Sequence, residues 1–167
     1  GNTLVTLSFT IPQKPVVLRS TTDPESGTVT FTELGSVPFE PDPYLSSVSS
    51  SANGNVIAVG SLGGSGETNP ITGFSFGFVR VYAFDGSNWT QQGSDINGQE
   101  KFSGFGRRFV LSSDGQTLAI AAPGKLQDVA GRVRIFDYDG NDWRQRGSAI
   151  EGSATYYFGG AFNGLES

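Results

Sequence analysis

The sequence predicts an all-β chain built from repeated four-stranded antiparallel meanders. The first observation behind this is an internal repeat. The segment VRVYAFDGSNWTQQGSDINGQ, from Val79 to Gln99, returns as VRIFDYDGNDWRQRGSAIEGS from Val133 to Ser153. Trp89 and Trp143, Arg80 and Arg134, Asp85 and Asp139, Gly93 and Gly147, and several further pairs keep one spacing of 54 residues. The second observation is that Gly and Pro punctuate the chain at short intervals, with no sustained helical period. The third is that the apolar runs are short and rich in β-branched and aromatic residues, the composition of strands. A unit of this length hides its apolar face only by stacking on copies of itself.

The second unit reads most clearly. Gly106 to Ser113 (GRRFVLSS) is expected as a strand, and Asp114-Gly115 as a tight turn, because both residues tolerate positive φ. Gln116 to Pro123 (QTLAIAAP) reads as a buried inner strand whose small alanines suit a crowded centre. Gly131 to Asp139 reads as a third strand, with Val133 and Ile135 turned inward and Arg132 and Arg134 outward. Asp139-Gly140-Asn141 turns the chain, and Asp142 to Ile150 is the outer strand. Four strands joined by hairpins form a meander, the unit of a β-propeller blade. The first unit repeats the order: SSVSSS, the Asn53-Gly54 turn, an inner strand from Asn55 to Ser61, then the segment carrying Trp89. Gly54 and Gly115 are 61 residues apart, so 7 extra residues fall in the loop between the second and third strands. Insertions of this kind collect on one face, which is often the binding face.

The ends are partial. Gly27 to Asp42 reads as a degenerate last strand, with Gly35-Ser36 in the place of Gly93-Ser94. Gly1 to Ser26 reads as extended strand with a Pro-containing turn and matches the repeat poorly. Phe158-Gly159 echoes Phe105-Gly106. The expected partition is therefore 1–43 for a partial preceding blade with N-terminal strands, 44–98 and 99–152 for two blades, and 153–167 for the start of another. Two units and two fragments do not close a ring, which takes four to eight blades. The expectation is an incomplete ring or a fragment of a larger propeller, completed by other chains or by further blades of the same protein. The stop in mid-unit at Ser167, and a start at Gly1 without a charged and apolar leader, favour an excerpt or a processed chain.

The second unit also carries a family resemblance. Phe105-Gly106, then FVLSSDGQTLAIAAPG, then GRVRIFDYDGNDW resembles the FG-GAP repeat, in the variant common in large algal and marine bacterial surface proteins. Both patches of the family name are present, as Phe105-Gly106 and as Ala121 to Pro123. In the first unit the second patch reads Gly60-Ser61-Leu62, and the first has decayed to Tyr44-Leu45. The likeness spans roughly Tyr44 to Ser153. It implies blades like those of the integrin α head and a secreted or cell-surface role in adhesion, with protein chains or cell-surface glycans as partners. Kelch blades are the rival, since they too carry an aromatic in the third strand and a Trp in the fourth, as do Tyr82 and Trp89.

The resemblance also raises Ca²⁺, which integrin-type blades hold in DxDxDG loops. Asp137, Asp139 and Asn141 offer alternating oxygens, but the glycine comes too early and the first unit has Ala83, Asp85 and Ser87 there. A plain Asp-Gly hairpin is the favoured reading. SSDGQT, from Ser112 to Thr117, lacks one residue of a sialidase Asp-box and also reads as a turn. Trp89 and Trp143 could stack on sugars, but their recurrence favours packing between blades. Asn88-Trp89-Thr90 is an N-glycosylation sequon beside a hairpin, absent from the second unit.

Composition narrows the function further. His, Cys and Met are absent, which removes disulfides, thiolate metal sites and the commonest general base. No nucleophile–base pair is visible, so an enzyme is not expected; a glycan-active propeller is the least favoured alternative. A net charge of −5 without a basic stripe argues against nucleic acid. No apolar run is long enough to span a membrane as a helix. The favoured function is a non-catalytic extracellular binding module, and the alternative is a structural subunit of a larger assembly.

Overall fold

A computed structural model describes residues 3–8, 14–40, 42, 44–62, 76–99, 103–123 and 131–152. Phe158-Gly159, most of the inserted loop after Ser61 and the expected fourth segment lie outside these residues. The described residues form strands and turns alone, in three antiparallel sheets.

The first sheet is a three-stranded meander of β1 (Thr3–Ser8), β2 (Lys14–Thr22) and β3 (Val29–Ser36). The second runs β4 (Leu45–Ser50), β5 (Val56–Ser61), β6 (Phe78–Phe84) and β7 (Trp89–Gln91), and β8 (Ile96–Asn97) also pairs with β6. The third repeats this as β9 (Arg108–Leu111), β10 (Thr117–Ala122), β11 (Arg132–Tyr138), β12 (Trp143–Gln145) and β13 (Ile150–Glu151). Turn chemistry sets the hairpins. Gly54 and Gly115 take φ of +69° and +74° at the first hairpin of each blade, a conformation that only a residue without Cβ adopts freely.

The expected outer strand, Asp142 to Ile150, is broken. Gly147 at φ +65° interrupts it, leaving β12 and β13 as short strands that both pair with β11. The expected opening strand is also shorter, because Gly106 takes φ +80° and lies in a turn before β9. The N-terminal residues, which matched the repeat poorly, complete a sheet with 27–36. In that sheet β3 holds the outer place that β7 holds in the next sheet.

Two apolar clusters show how the sheets stack. Val17, Val37 and Phe39 from the N-terminal side meet Leu45, Ile57, Val59, Phe78, Tyr82 and Trp89 of the second sheet. The other face of that sheet supplies Ala58, Val79, Val81 and Ile96, which meet Phe105, Leu111, Leu118, Ile120, Phe136 and Trp143 of the third. The third sheet packs on the second through the face that carries Arg134 and Phe136. This corrects the expected orientation of the second unit. Arg134 is buried, at 6% exposure, and faces the preceding sheet; Val133 and Ile135 lie on the opposite face and are half-buried. The architecture is a stack of β-propeller blades whose described part does not close.

Candidate functional site

Each face-to-face junction is built from the same parts. Trp143 is the first residue of β12, and its indole Nε1–H donates to the Gln92 carbonyl of the preceding blade at 2.9 Å. Trp89 does the same to the Leu34 carbonyl of the N-terminal sheet at 2.8 Å. Both rings are buried, and each leans on the aromatic directly opposite it in the hairpin, Phe84 at 5.0 Å and Tyr138 at 5.4 Å between centroids. Gly35 and Gly93 follow the two acceptor residues with φ of +80° and +73°. A Cβ on Gly93 would stand 2.9 Å from Trp143 Cδ1, so the glycine makes room for the indole of the next blade. The tryptophans therefore face a neighbouring sheet and are closed to a stacked sugar.

An arginine lies over two rings at each junction. Arg134 sits over Phe105 at 4.5 Å and Phe136 at 5.3 Å; Arg80 sits over Phe39 at 5.7 Å and Phe78 at 5.2 Å. Guanidinium over an aromatic face is favourable where water is excluded. The pairing identifies Phe39, at 3% exposure, as the first-junction counterpart of Phe105, whereas Tyr44, the residue expected there, is 46% exposed. The two arginines differ in their polar contacts. Asp95 takes Arg80 with a bidentate ion pair, both N···O distances being 2.6 Å, and holds its pKa above the ordinary guanidinium value. Residue 149, the counterpart of Asp95, is Ala, and Arg134 donates to the Asn97 carbonyl at 3.0 Å. Arg134 also lines a notch with Arg132, Gln99, Ser103, Phe105 and Ala122 that has room for a single water-sized group.

The two patches of the resemblance meet across the junction. Ser46 Oγ donates to the Gly106 carbonyl at 2.8 Å, which brings that carbonyl against Gly60 of the preceding blade. A Cβ on Gly60 would collide with the Gly106 carbonyl oxygen and the Phe109 ring. The opening strands β4 and β9 and the turns after them are tied as well: Leu111 N donates to Ser49 Oγ at 2.9 Å, and Ala52 N donates to the Ser113 carbonyl at 2.9 Å.

The hairpin of Asp137, Asp139 and Asn141 is engaged by the protein itself. Arg146 holds the Asp137 carboxylate through both oxygens, and Thr117 Oγ1 donates to it at 3.0 Å. Asp139 Oδ1 accepts the N–H groups of Asn141 and Asp142 at 2.9 and 2.8 Å, and its Oδ2 accepts Arg144 at 3.1 Å. A cation here would have to displace two arginines, and no group of three Asp, Glu, His or Cys converges among the described residues. Calcium titration is expected to leave the amide signals of residues 137–142 in place, and shifts confined to this hairpin would reinstate it as a metal site. Asp114 likewise accepts Ser112 Oγ and Gln116 N within its own turn. Asn88 is exposed at the tip of the β6–β7 hairpin, with its N–H on Asp85 at 2.8 Å.

These turn contacts predict an acid-sensitive hairpin. The N–H groups of Asp142 and Asn141, then Arg144, hold the Asp139 carboxyl at about 2. That lies below the value of about 3.9 expected in the unfolded chain. Its contribution to stability is therefore complete above about pH 4 and is lost as pH falls toward 2. Asp139→Asn is expected to flatten the acid limb of the Tm–pH curve within that window. An unchanged limb would show that the hairpin carboxylate contributes nothing to folding.

Fold and junctions together define a run of β-propeller blades. Among solved structures, the chain is similar to the β-propeller domain of the Trilobed protease from Pyrococcus furiosus, described as having an open velcro topology. The likeness has a TM-score of 0.45 at 11% identity, over 90% of this chain and 40% of that one. It is also similar to a structure described as the complex of KlAtg21 with the coiled-coil of AgAtg16, with a TM-score of 0.42 at 8% identity, over 90% of this chain and 58% of that one. The chain thus spans less than two thirds of either neighbour. No protein-family model matches it, and no curated protein matches it in sequence.

Proposed function

We propose that the chain is a non-catalytic recognition module made of FG-GAP-like propeller blades, secreted or displayed at a cell surface, where it binds a protein or a glycan. One observation carries the reading: the junctions recur while the hairpin tips above them vary. Trp89 and Trp143, and Arg80 and Arg134, repeat in place. At the tips, Ser87 and Asn88 give way to Asn141 and Asp142 beside the recurring Asp-Gly pair, and at the strand ends below them Ala83 gives way to Asp137. A fixed frame with variable turns is how recognition scaffolds change ligand without losing their fold. The contact between Gly106 and Gly60 supports the FG-GAP assignment, because it gives both patches of the motif one mechanical task. Asp85, Asp114, Asp137 and Asp139 are ion-paired or accept backbone N–H groups, and all four are held below the ordinary carboxylate value. A general acid needs the opposite shift.

The test is to expose the immobilised protein to a glycan array and to intact cells. Saturable retention of one ligand class, with no change in the ligand's covalent structure, is expected. Turnover of a ligand, or residence of the protein in the cytosol, would contradict the reading. A role as structural subunit of a larger assembly is the second reading, favoured by the exposed apolar residues Val29, Phe31, Val110 and Ile150.

A further inference from the structure

The sequence holds a single Asn-X-Thr or Asn-X-Ser triplet, Asn88-Trp89-Thr90, and the first blade presents it where the β6–β7 turn runs into β7. The turn is held through backbone groups: Asp85 Oδ1 accepts the N–H groups of Ser87 and Asn88, both at 2.8 Å. A Cβ on Gly86, at φ +103°, would meet nothing within 4 Å, so the tip stands in open space. The β9–β10 turn of the next blade is packed by comparison, since a Cβ on Gly115 would stand 2.8 Å from Val56 Cγ2. Trp89 is buried in the junction, and strand alternation turns Thr90 to the opposite side. Asn88 and Thr90, the two residues that N-glycosylation reads, are therefore both exposed, and the aromatic between them is packed away. The second blade has Asn141-Asp142-Trp143 instead, and there the Asp142 carboxylate accepts the Ser94 N–H of the preceding blade at 2.8 Å.

We propose that Asn88 carries an N-linked glycan. The proposal rests on the secreted or surface-displayed reading, because the donor, a lipid diphosphate-linked oligosaccharide, is met in the secretory pathway. Asn88 Nδ2 forms a bond to the anomeric carbon of the oligosaccharide and gives up one proton. The bond from that carbon to the diphosphate oxygen breaks, and the diphosphate leaves with the electron pair. The host transferase catalyses the step, and the product is a bulky, solubilising group on the surface. Its position leaves one end of the blade clear. Phe84 N donates to the Asn55 carbonyl, so the Asn88 turn shares an end with the Asn53-Gly54 turn. Ser61, from which the longer connection departs, pairs with Phe78 at the opposite end.

The test expresses the full chain behind a cleavable heterologous leader in a eukaryotic secretory host. The peptide that holds Asn88 is then weighed before and after the folded protein is treated with peptide N-glycosidase. A glycan on Asn88 is expected, and its release without denaturation. Asn88→Gln and Thr90→Ala are expected to lose it, Thr90→Ser to keep it, and Asn88→Gln to leave the thermal midpoint unchanged. An unmodified Asn88 in folded, secreted wild-type protein would overturn the proposal. So would a glycan released only after denaturation, which would place it against the neighbouring sheet. The leader fixes the address, so an empty site leaves the recognition reading untouched, whereas native protein found in the cytosol would remove that reading without emptying Asn88 in this host.

Discussion

Trp143→Ala is expected to cost about 3–5 kcal/mol, the range for truncating a large buried aromatic. The indole fills the space between the second and third sheets, leans on Tyr138 and donates to the Gln92 carbonyl. Trp143→Phe separates these contributions. It keeps most of the apolar ring and loses the N–H, and is expected to cost about 1–3 kcal/mol, the penalty for leaving a buried acceptor without its donor. Urea unfolding of the three proteins measures both differences. Equal losses for Phe and Ala would mean that the hydrogen bond, not packing, holds the junction. A loss under about 1 kcal/mol for Ala would mean that the ring is not buried as described.

Gly106→Ala is expected to cost about 2–5 kcal/mol, from two sources. Its φ of +80° is unfavourable for an L residue by about 1–2 kcal/mol. Its Cβ would stand 2.5 Å from the Phe78 carbonyl oxygen and 3.0 Å from that of Ser61, and overpacking of this kind adds about 1–3 kcal/mol. Gly140→Ala is the control. It shares the left-handed backbone, at φ +95°, but its Cβ would meet nothing within 4 Å. Only the backbone cost of about 1–2 kcal/mol is expected there. The difference between the two variants isolates the close approach of the blades at the FG segment, and equal losses would contradict that approach. Gly60→Ala probes the same contact from the other blade and is expected to cost about 1–3 kcal/mol, since its Cβ would meet the Gly106 carbonyl.

The residues that define the junction were legible in the sequence because a packed residue must recur wherever its contact recurs. The 54-residue spacing of Trp89 and Trp143 reports such a contact, and Gly93 makes room for the second of these indoles. The Asn53-Gly54 and Asp114-Gly115 turns were legible because turn chemistry is local. What escaped depends on contacts between sheets. Arg134 reads as a solvent-facing strand residue, and its burial becomes favourable only through groups distant in sequence, the Phe105 ring and the Asn97 carbonyl of the preceding blade. Phe39 stands outside the repeat register, so Tyr44 took its place in the alignment although Phe39 takes it in space. The N-terminal sheet has no motif, because its strands are recognised by pairing β2 with β1 and β3 rather than by composition. The hairpin of Asp137 and Asp139 showed its carboxylates in sequence, but not the arginines that occupy them, which lie 5 to 9 residues away on the returning strand.

The stacking of successive sheets through their tryptophans is tested most directly by the two indole N–H signals. The chain has only two tryptophans, so the spectrum holds two such resonances. Slow exchange with solvent is expected for both, with nuclear Overhauser contacts from Trp143 Hε1 to Gln92 and Gly93 and from Trp89 Hε1 to Leu34 and Gly35. Rapid exchange, or contacts confined to each tryptophan's own hairpin, would contradict it.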